Sequence, residues 1–138
     1  MKTIAILISL FLSSLAFSQD QTGTITVSVT NLSSEEGNVY FGLYTEADFL
    51  KKAPLKGEVT TIKNGVAEVS FTEVQPGTYA ISAYHDKNGN ERMDFDTNGA
   101  PQENYGISNN QINLYGPPLW EDAKFQFDGS QKDINLTF

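Results

Sequence analysis

The segment YHDKNGNERMDFD places oxygen-bearing side chains at nearly every second position. Counted from Asp86 as position 1, Asn88 is at position 3, Asn90 at 5, Arg92 at 7 and Asp94 at 9. A calcium ion takes about six to eight oxygen ligands, and a curling loop with alternate Asp and Asn residues points one side-chain oxygen inward at each odd position. The spacing therefore predicts a calcium loop with four side-chain ligands and a backbone carbonyl ligand from Arg92.

The segment departs from the EF-hand loop at two positions. Glu91 is at position 6, where the EF-hand has glycine, and Thr97 is at position 12, where it has a bidentate glutamate. The flanking sequence has strand and loop patterns, with no helix on either side. We therefore predict a shorter loop, in which Asp96 and Glu103 are candidates for additional ligands because they lie nearby in the sequence. With Asn at two of the positions, we expect Kd on the order of 10⁻⁵ to 10⁻³ M.

The same residues are also typical of a polar turn. Asn, Asp and Gly are common in turns because their side chains bond the local backbone or because they tolerate positive φ. The sequence leaves the two interpretations open.

Seven segments have the length and two-residue alternation of short β-strands, separated by turn residues. They are residues 23–31, 38–45, 58–63, 66–72, 78–86, 123–127 and 132–138. This pattern predicts an all-β fold, a seven-stranded antiparallel sandwich with immunoglobulin-like or transthyretin-like architecture. The pair Asn64-Gly65 predicts a type I′ hairpin turn, because both residues tolerate positive φ.

The predicted sandwich has one long irregular loop, residues 86–121, in which Gly, Pro, Asn and Asp are frequent. A loop of this length in a compact domain is usually functional or is held by something other than its own core. We therefore expect any binding chemistry to lie there, together with the calcium loop.

Residues 1–18 have the pattern of a secretory signal peptide, with Lys2, an apolar run over residues 4–15 and small residues before the expected cleavage site after Ser18. The apolar run is too short for a transmembrane helix, and no later segment is long enough. We expect an exported protein in which residues 19–138 form a single β-sandwich domain. We favour the periplasm over the medium, since no separate sorting domain follows the last strand.

Cleavage removes one basic residue and no acid, so 8 basic and 17 acidic side chains remain and the net charge is 8 − 17 = −9. This charge argues against nucleic acid and anionic membranes as partners, since both require positive patches, and it favours a cation. The chain has no cysteine, which excludes disulfides and thiolate metal sites.

Four segments of the chain, one of them the loop after Tyr84, carry a resemblance to a known family. They are PGTYA, HDKNGNERMD, GAPQENYGISNN and GPPLWEDAKF, in this order. The segments resemble motifs of the exported bacterial family named domain of unknown function 2141. The resemblance implies a sandwich and an exported location, and no activity, because none is established for the family. The family's loop usually has glycine where this chain has Glu91.

Three aromatic residues in the irregular region have two interpretations. Tyr105, Tyr115 and Trp120 could stack on a sugar ring or anchor a peptide, or they could pack as a lid over the end of the sandwich.

An enzyme is the third class of function considered. His85 shares a strand face with apolar residues, which favours a hydrogen-bonded residue at the strand end over a general base. Glu103, Glu121 and Asp122 are the acids that a hydrolase would use, and no motif arranges them. We expect an exported, non-enzymatic module with a calcium-stabilised loop; a carbohydrate- or peptide-binding domain and a hydrolase are the alternatives.

Overall fold

The computed structural model describes residues 21–138 and contains eight strands arranged in two sheets. The strands are β1 (Gly23–Val29), β2 (Asn38–Tyr44), β3 (Lys56–Thr61), β4 (Ala67–Val74), β5 (Gly77–Asp86), β6 (Tyr105–Ile107), β7 (Phe125–Phe127) and β8 (Gln131–Leu136). A 3-10 turn (Ser108–Asn110) and a short helix, α1 (Trp120–Ala123), complete the secondary structure.

The two sheets pack as a sandwich. One sheet has the order β4-β1-β8, and the other has the order β3-β2-β5-β6, with β7 also paired to β5. The β3–β4 connection carries the chain from one sheet to the other through the predicted turn at Asn64-Gly65. Both turn residues have positive φ, at 53° and 72°, as a type I′ turn requires.

The prediction of a sandwich is confirmed, whereas the strand number and the purely antiparallel arrangement were wrong. All seven predicted strands are present with shifted ends, and β6 is an eighth strand within the predicted long loop. Its length of three residues is too short to give a detectable period. The pair β1 and β8 is parallel; these are the first and last strands, so no hairpin forces them to run in opposite directions.

Apolar residues at alternate positions fill the space between the sheets. Ile25, Val27 and Val29 of β1 are fully buried, and β2 and β5 contribute residues with the same alternation. A second apolar cluster covers the outer face of the larger sheet. It contains Phe49, Ala80, Ile107 and Ala123, with Tyr44 and Trp120 packed against it.

The 3-10 turn joins three parts of the fold through its side chains. Ser108 is buried; its Oγ accepts the N–H of Ile81 in β5 at 2.9 Å and donates to the last carbonyl of α1. Asn109 donates to two carbonyls at the end of α1. The side chain of Asn110 holds the end of β8: its Nδ2 donates to the carbonyl of Asn135, and its Oδ1 accepts the N–H of Thr137. The SNN sequence therefore has a structural role, fixing β6 against α1 and the C-terminal strand.

The predicted signal peptide, residues 1–18, lies outside the described residues. Within residues 21–138, no helix is long and apolar enough to span a membrane.

Candidate metal loop at the end of strand β5

Asp86 is the last residue of β5 and is fully buried. Its Oδ1 accepts the backbone N–H groups of Gly89 at 2.8 Å and Asn90 at 3.2 Å, and its Oδ2 accepts that of Glu91 at 2.8 Å. These bonds fold the chain after β5 into a compact turn. A carboxylate has about four acceptor positions, so Asp86 keeps capacity for one more partner.

The side chains of Asn88, Asn90 and Asp94 meet beside this turn. Asn88 Nδ2 donates to Asp94 Oδ2 at 2.7 Å, and Asn90 Nδ2 lies 2.9 Å and 2.7 Å from the two oxygens of Asp94. Because the N–H of Asn90 also bonds Asp86, all four residues belong to one hydrogen-bonded group. Of the four side chains that the sequence spacing groups as ligands, the structure therefore brings Asn88, Asn90 and Asp94 into contact, and Asp86 is linked to them through the backbone of Asn90.

The two carboxamides are oriented for hydrogen bonding rather than for metal ligation. Their NH₂ groups face Asp94, while Oδ1 of Asn88 and Oδ1 of Asn90 accept backbone N–H groups at 3.1 Å and 3.2 Å. Binding of a cation through the amide oxygens requires each amide to rotate about its terminal torsion, which breaks its hydrogen bonds to Asp94 and to the backbone N–H of Asn90 or Arg92. Within residues 21–138, no three His, Cys, Asp or Glu side chains form a metal cluster. A site here therefore depends on amide and carbonyl oxygens.

Arg92 places a positive charge at the same carboxylate. Its Nε lies 3.6 Å from Asp94 Oδ1, and the side chain is 77% exposed. An exposed ion pair of this kind contributes little to stability. The guanidinium nevertheless competes with a cation for Asp94. The contribution of the Arg92 carbonyl as a ligand stays a prediction.

Glu91 adopts the backbone conformation that the EF-hand reserves for glycine. Its φ is 63°, in the left-handed region. A residue with a Cβ pays about 1–2 kcal/mol to adopt this conformation. The turn at position 6 therefore forms despite the absence of glycine, at a cost in strain.

Asp96, one of the two candidates for an additional ligand, caps a turn of its own. Its Oδ1 accepts the N–H groups of Asn98 at 2.8 Å and Ala100 at 2.9 Å. This carboxylate is directed into the 96–100 turn rather than toward the group formed by Asp94.

Glu103, the other candidate, has a different environment. Both of its carboxylate oxygens are buried and make no hydrogen bond. Burial raises the pKa of Glu103, and the charges of Asp86 and Asp94 raise it further. The backbone N–H groups of Asp94 and Lys87 lie near enough to lower this pKa, although neither reaches hydrogen-bond geometry.

His85 is buried on the inner face of β5, as the alternation predicts. Its Nε2 lies 2.6 Å from the carbonyl oxygen of Glu36, and its backbone N–H donates to Asn104 at 2.9 Å. Gly37, which follows Glu36, lies very close to the end of β5. A Cβ added at this position would be 1.9 Å from the carbonyl oxygen of Asp86. The ring therefore holds the end of β5 against the start of β2, which is a structural role.

The three aromatic candidates do not form one site. Tyr105 lies in β6 and lines a groove of about 510 Å³ together with Glu103, Ile112 and Phe138. Tyr115 is 97% exposed at the tip of its loop. The ring of Trp120 packs against Phe49 with centroids 5.8 Å apart, so it closes the second apolar cluster.

A stacked pair of tyrosines lies on the larger sheet, on strands β2 and β5. Tyr40 and Tyr84 are cross-strand neighbours with ring centroids 5.3 Å apart, and Tyr105 pairs with Tyr84 on the other side. Burial, followed by the charge of Asp86, raises the pKa of Tyr84 to about 12. This row of tyrosines was not predicted from the sequence, although the polar-face positions of β2 and β5 both contain tyrosine.

The fold and the loop define a small β-sandwich with a polar, carboxylate-rich turn at the end of one strand. The chain belongs to the family described as uncharacterized protein conserved in bacteria (DUF2141), whose sequence profile matches residues 27–135. The predicted family membership is therefore confirmed. No curated protein and no solved structure matches the chain significantly.

Proposed function

We propose that this protein is an exported, non-enzymatic β-sandwich module whose Asp/Asn loop binds calcium, with a structural or binding role. The observation that supports the ion site is the convergence of Asn88 and Asn90 on the carboxylate of Asp94, next to the buried Asp86. Export is supported by the signal-peptide pattern of residues 1–18, and the periplasm is the compartment we favour.

The donor set favours calcium over other divalent cations. Every candidate ligand is an oxygen, from the side chains of Asp86, Asn88, Asn90 and Asp94 and from the backbone carbonyl of Arg92. Calcium accepts such mixed oxygen donors in irregular geometry, whereas magnesium demands a near-ideal octahedron and usually keeps several waters. In a chain without cysteine, a bound ion would stabilise the loop by favouring the folded state.

Isothermal titration calorimetry with calcium tests this proposal. We expect one site with Kd on the order of 10⁻⁵ to 10⁻³ M for the wild type. Asp94→Ala should abolish the binding heat, whereas Asp96→Ala, a matched loss of one nearby carboxylate, should keep it. Absence of binding in the wild type, or equal binding in Asp94→Ala, would support the polar-turn interpretation instead.

A carbohydrate- or peptide-binding role is the second candidate, supported by the groove beside Tyr105. Among the aromatic residues considered in the sequence, Tyr105 alone lines that groove. Titration of a glycan panel should then give binding that Tyr105→Ala removes and Tyr115→Ala retains. A hydrolase has less support, because His85 bonds the Glu36 carbonyl and Glu121 pairs with Lys124 at 2.6 Å.

A further inference from the structure

The segment between the 3-10 turn and α1, residues 111–119, exposes an apolar surface; we call it the apolar loop. Ile112 and Leu114 are each 80% exposed, Tyr115 is 97% exposed and Leu119 is 52% exposed. Single exposed apolar residues are ordinary on a protein surface. Four of them within one short loop form a patch of the kind that marks an interaction site.

The apolar loop is held in shape by its own hydrogen bonds. Asn113 Nδ2 donates to the carbonyl of Pro117 at 2.8 Å, and Asn113 Oδ1 accepts the N–H of Tyr115 at 3.1 Å. Pro117 and Pro118 restrict the backbone further, because the proline ring fixes φ. The loop therefore presents Leu114 and Tyr115 from an ordered turn, and binding through them costs little ordering entropy.

The groove beside Tyr105 adjoins this loop. Ile112 and Pro118 line the groove of about 510 Å³, together with Tyr105 and Phe138. A projection and a depression therefore lie side by side on one surface. A twofold interface uses the same patch of both copies, so that patch has to be complementary to itself. A patch that combines a projecting loop with an adjacent groove meets this condition, since each loop then enters the groove of the other copy.

The distribution of charge favours a second copy of this chain at this surface. Two copies with a net charge of −8 repel each other, and the repulsion is smallest where they meet through uncharged surface. Residues 104–120 contain no Asp, Glu, Lys, Arg or His. Of residues 21–138, Glu103 is the only charged one that lines the groove, and both of its carboxylate oxygens are already shielded from water. Contact between two copies here therefore buries no hydrated charge.

The area of the apolar loop sets the strength to expect. Burial of its four exposed side chains would remove on the order of 450 Å² of apolar surface per copy from water. A stable interface buries about 800 Å² per partner, so the wall of the groove has to supply the remainder. This area is in the range of a reversible dimer.

We propose that the protein forms a twofold dimer in which the apolar loop of each copy, with Leu114 and Tyr115 at its tip, occupies the groove beside Tyr105 of the other copy. This inference goes beyond the proposed function and does not depend on the calcium site, because no residue of the 86–94 loop lines the groove.

Sedimentation equilibrium in excess EGTA tests the dimer. We expect the wild type to show a monomer–dimer equilibrium with Kd on the order of 10⁻⁶ to 10⁻⁴ M. Leu114→Ser should raise this Kd at least tenfold, as expected for a residue at the centre of an interface. Leu55→Ser makes the same change at a leucine that is 54% exposed outside the loop, and it should leave Kd unchanged. A wild type that is monomeric at ten times the upper limit of this range, or an equal change of Kd in both variants, would overturn the dimer.

A mixing experiment distinguishes a loop that enters the groove from two loops that pack on each other. Tyr115→Lys places a positive charge at the tip of the loop, and Gln111→Glu places a negative charge in the groove wall. Both residues are exposed, so neither change should unfold the protein. Each variant alone should dimerise more weakly than the wild type, whereas an equimolar mixture should favour the heterodimer in native mass spectrometry. A statistical mixture of dimers would overturn the groove as the position of the loop.

Flotation with phosphatidylcholine vesicles tests a membrane surface as the other occupant of the apolar loop. We expect the wild type to stay unbound to the vesicles, because its loop is covered by the second copy. Vesicle binding by a wild type that sediments as a monomer, lost in Leu114→Ser and kept in Leu55→Ser, would overturn the dimer and assign the loop to a membrane surface.

Discussion

Replacing Asp86 with alanine should destabilise the protein even in the absence of calcium. The change removes the acceptor for three backbone N–H groups, at 2.8, 3.2 and 2.8 Å, from a fully buried position. A hydrogen bond to a charged group contributes about 1.5–3 kcal/mol where water is excluded. Because the N–H groups of this turn are partly accessible, we expect about 1 kcal/mol for each bond and a loss of about 3 kcal/mol. In a domain of this size, that loss lowers the thermal midpoint by about 10 °C.

Urea unfolding in excess EGTA, followed by the fluorescence of Trp120, measures this loss. Asp128→Ala is the matched control, because the Asp128 carboxylate also accepts turn hydrogen bonds, from Ser130, at an exposed position. We expect the control to lose less than about 1 kcal/mol. Asp86→Asn, which keeps one oxygen acceptor, should fall between the two. A loss in Asp86→Ala no larger than that in Asp128→Ala would refute the conclusion that this carboxylate organises the turn.

Three further predictions concern single residues. Glu91→Gly should raise the free energy of unfolding in urea by about 0.5–1 kcal/mol, because glycine adopts the left-handed conformation at position 6 without the strain that a Cβ causes. A lower free energy of unfolding in this variant would contradict the presence of strain at Glu91. Ser108→Ala should cost about 2 kcal/mol in the same assay, because it leaves buried backbone groups of β5 and α1 unpaired; no loss would contradict the joining role of the 3-10 turn. The phenol of Tyr84 should ionise near pH 12 in an ultraviolet titration, and Tyr84→Phe should remove that step. Since its folded pKa lies above the ordinary value near 10, the stability that Tyr84 contributes is present below pH 10 and is lost between pH 10 and about 12. If the wild type and Tyr84→Phe lost the same free energy of unfolding between pH 10 and about 12, the raised pKa of Tyr84 would be contradicted.

The strands were predictable where local alternation decides them. Ile25, Val27 and Val29 alternate with polar residues, and the structure buries all three. The strand β6 was not predictable in this way, because Tyr105-Gly106-Ile107 is held by pairing with β5 rather than by its own pattern. Likewise, the parallel pairing of β1 with β8 depends on contacts between the two ends of the chain, about which local sequence says nothing.

The loop shows the same division between local and tertiary information. Spacing alone grouped Asp86, Asn88, Asn90 and Asp94, because residues this close in sequence meet within one turn. Proximity in sequence could not distinguish Asp96 from Glu103, since the difference between them is burial and hydrogen bonding. The packing of Trp120 against Phe49 also depends on a tertiary contact, between segments that are distant in the sequence.

The most direct test of the calcium site is the thermal midpoint of the purified protein in excess EGTA and then in millimolar calcium, beside the double variant Asp86→Ala, Asp94→Ala. At a calcium concentration of about 100 times Kd, binding to the folded state alone adds about 2.7 kcal/mol. If the loop binds calcium, the wild type melts several degrees higher in calcium and the double variant does not respond. An unchanged midpoint in the wild type, or an equal rise in both proteins, would contradict the calcium site.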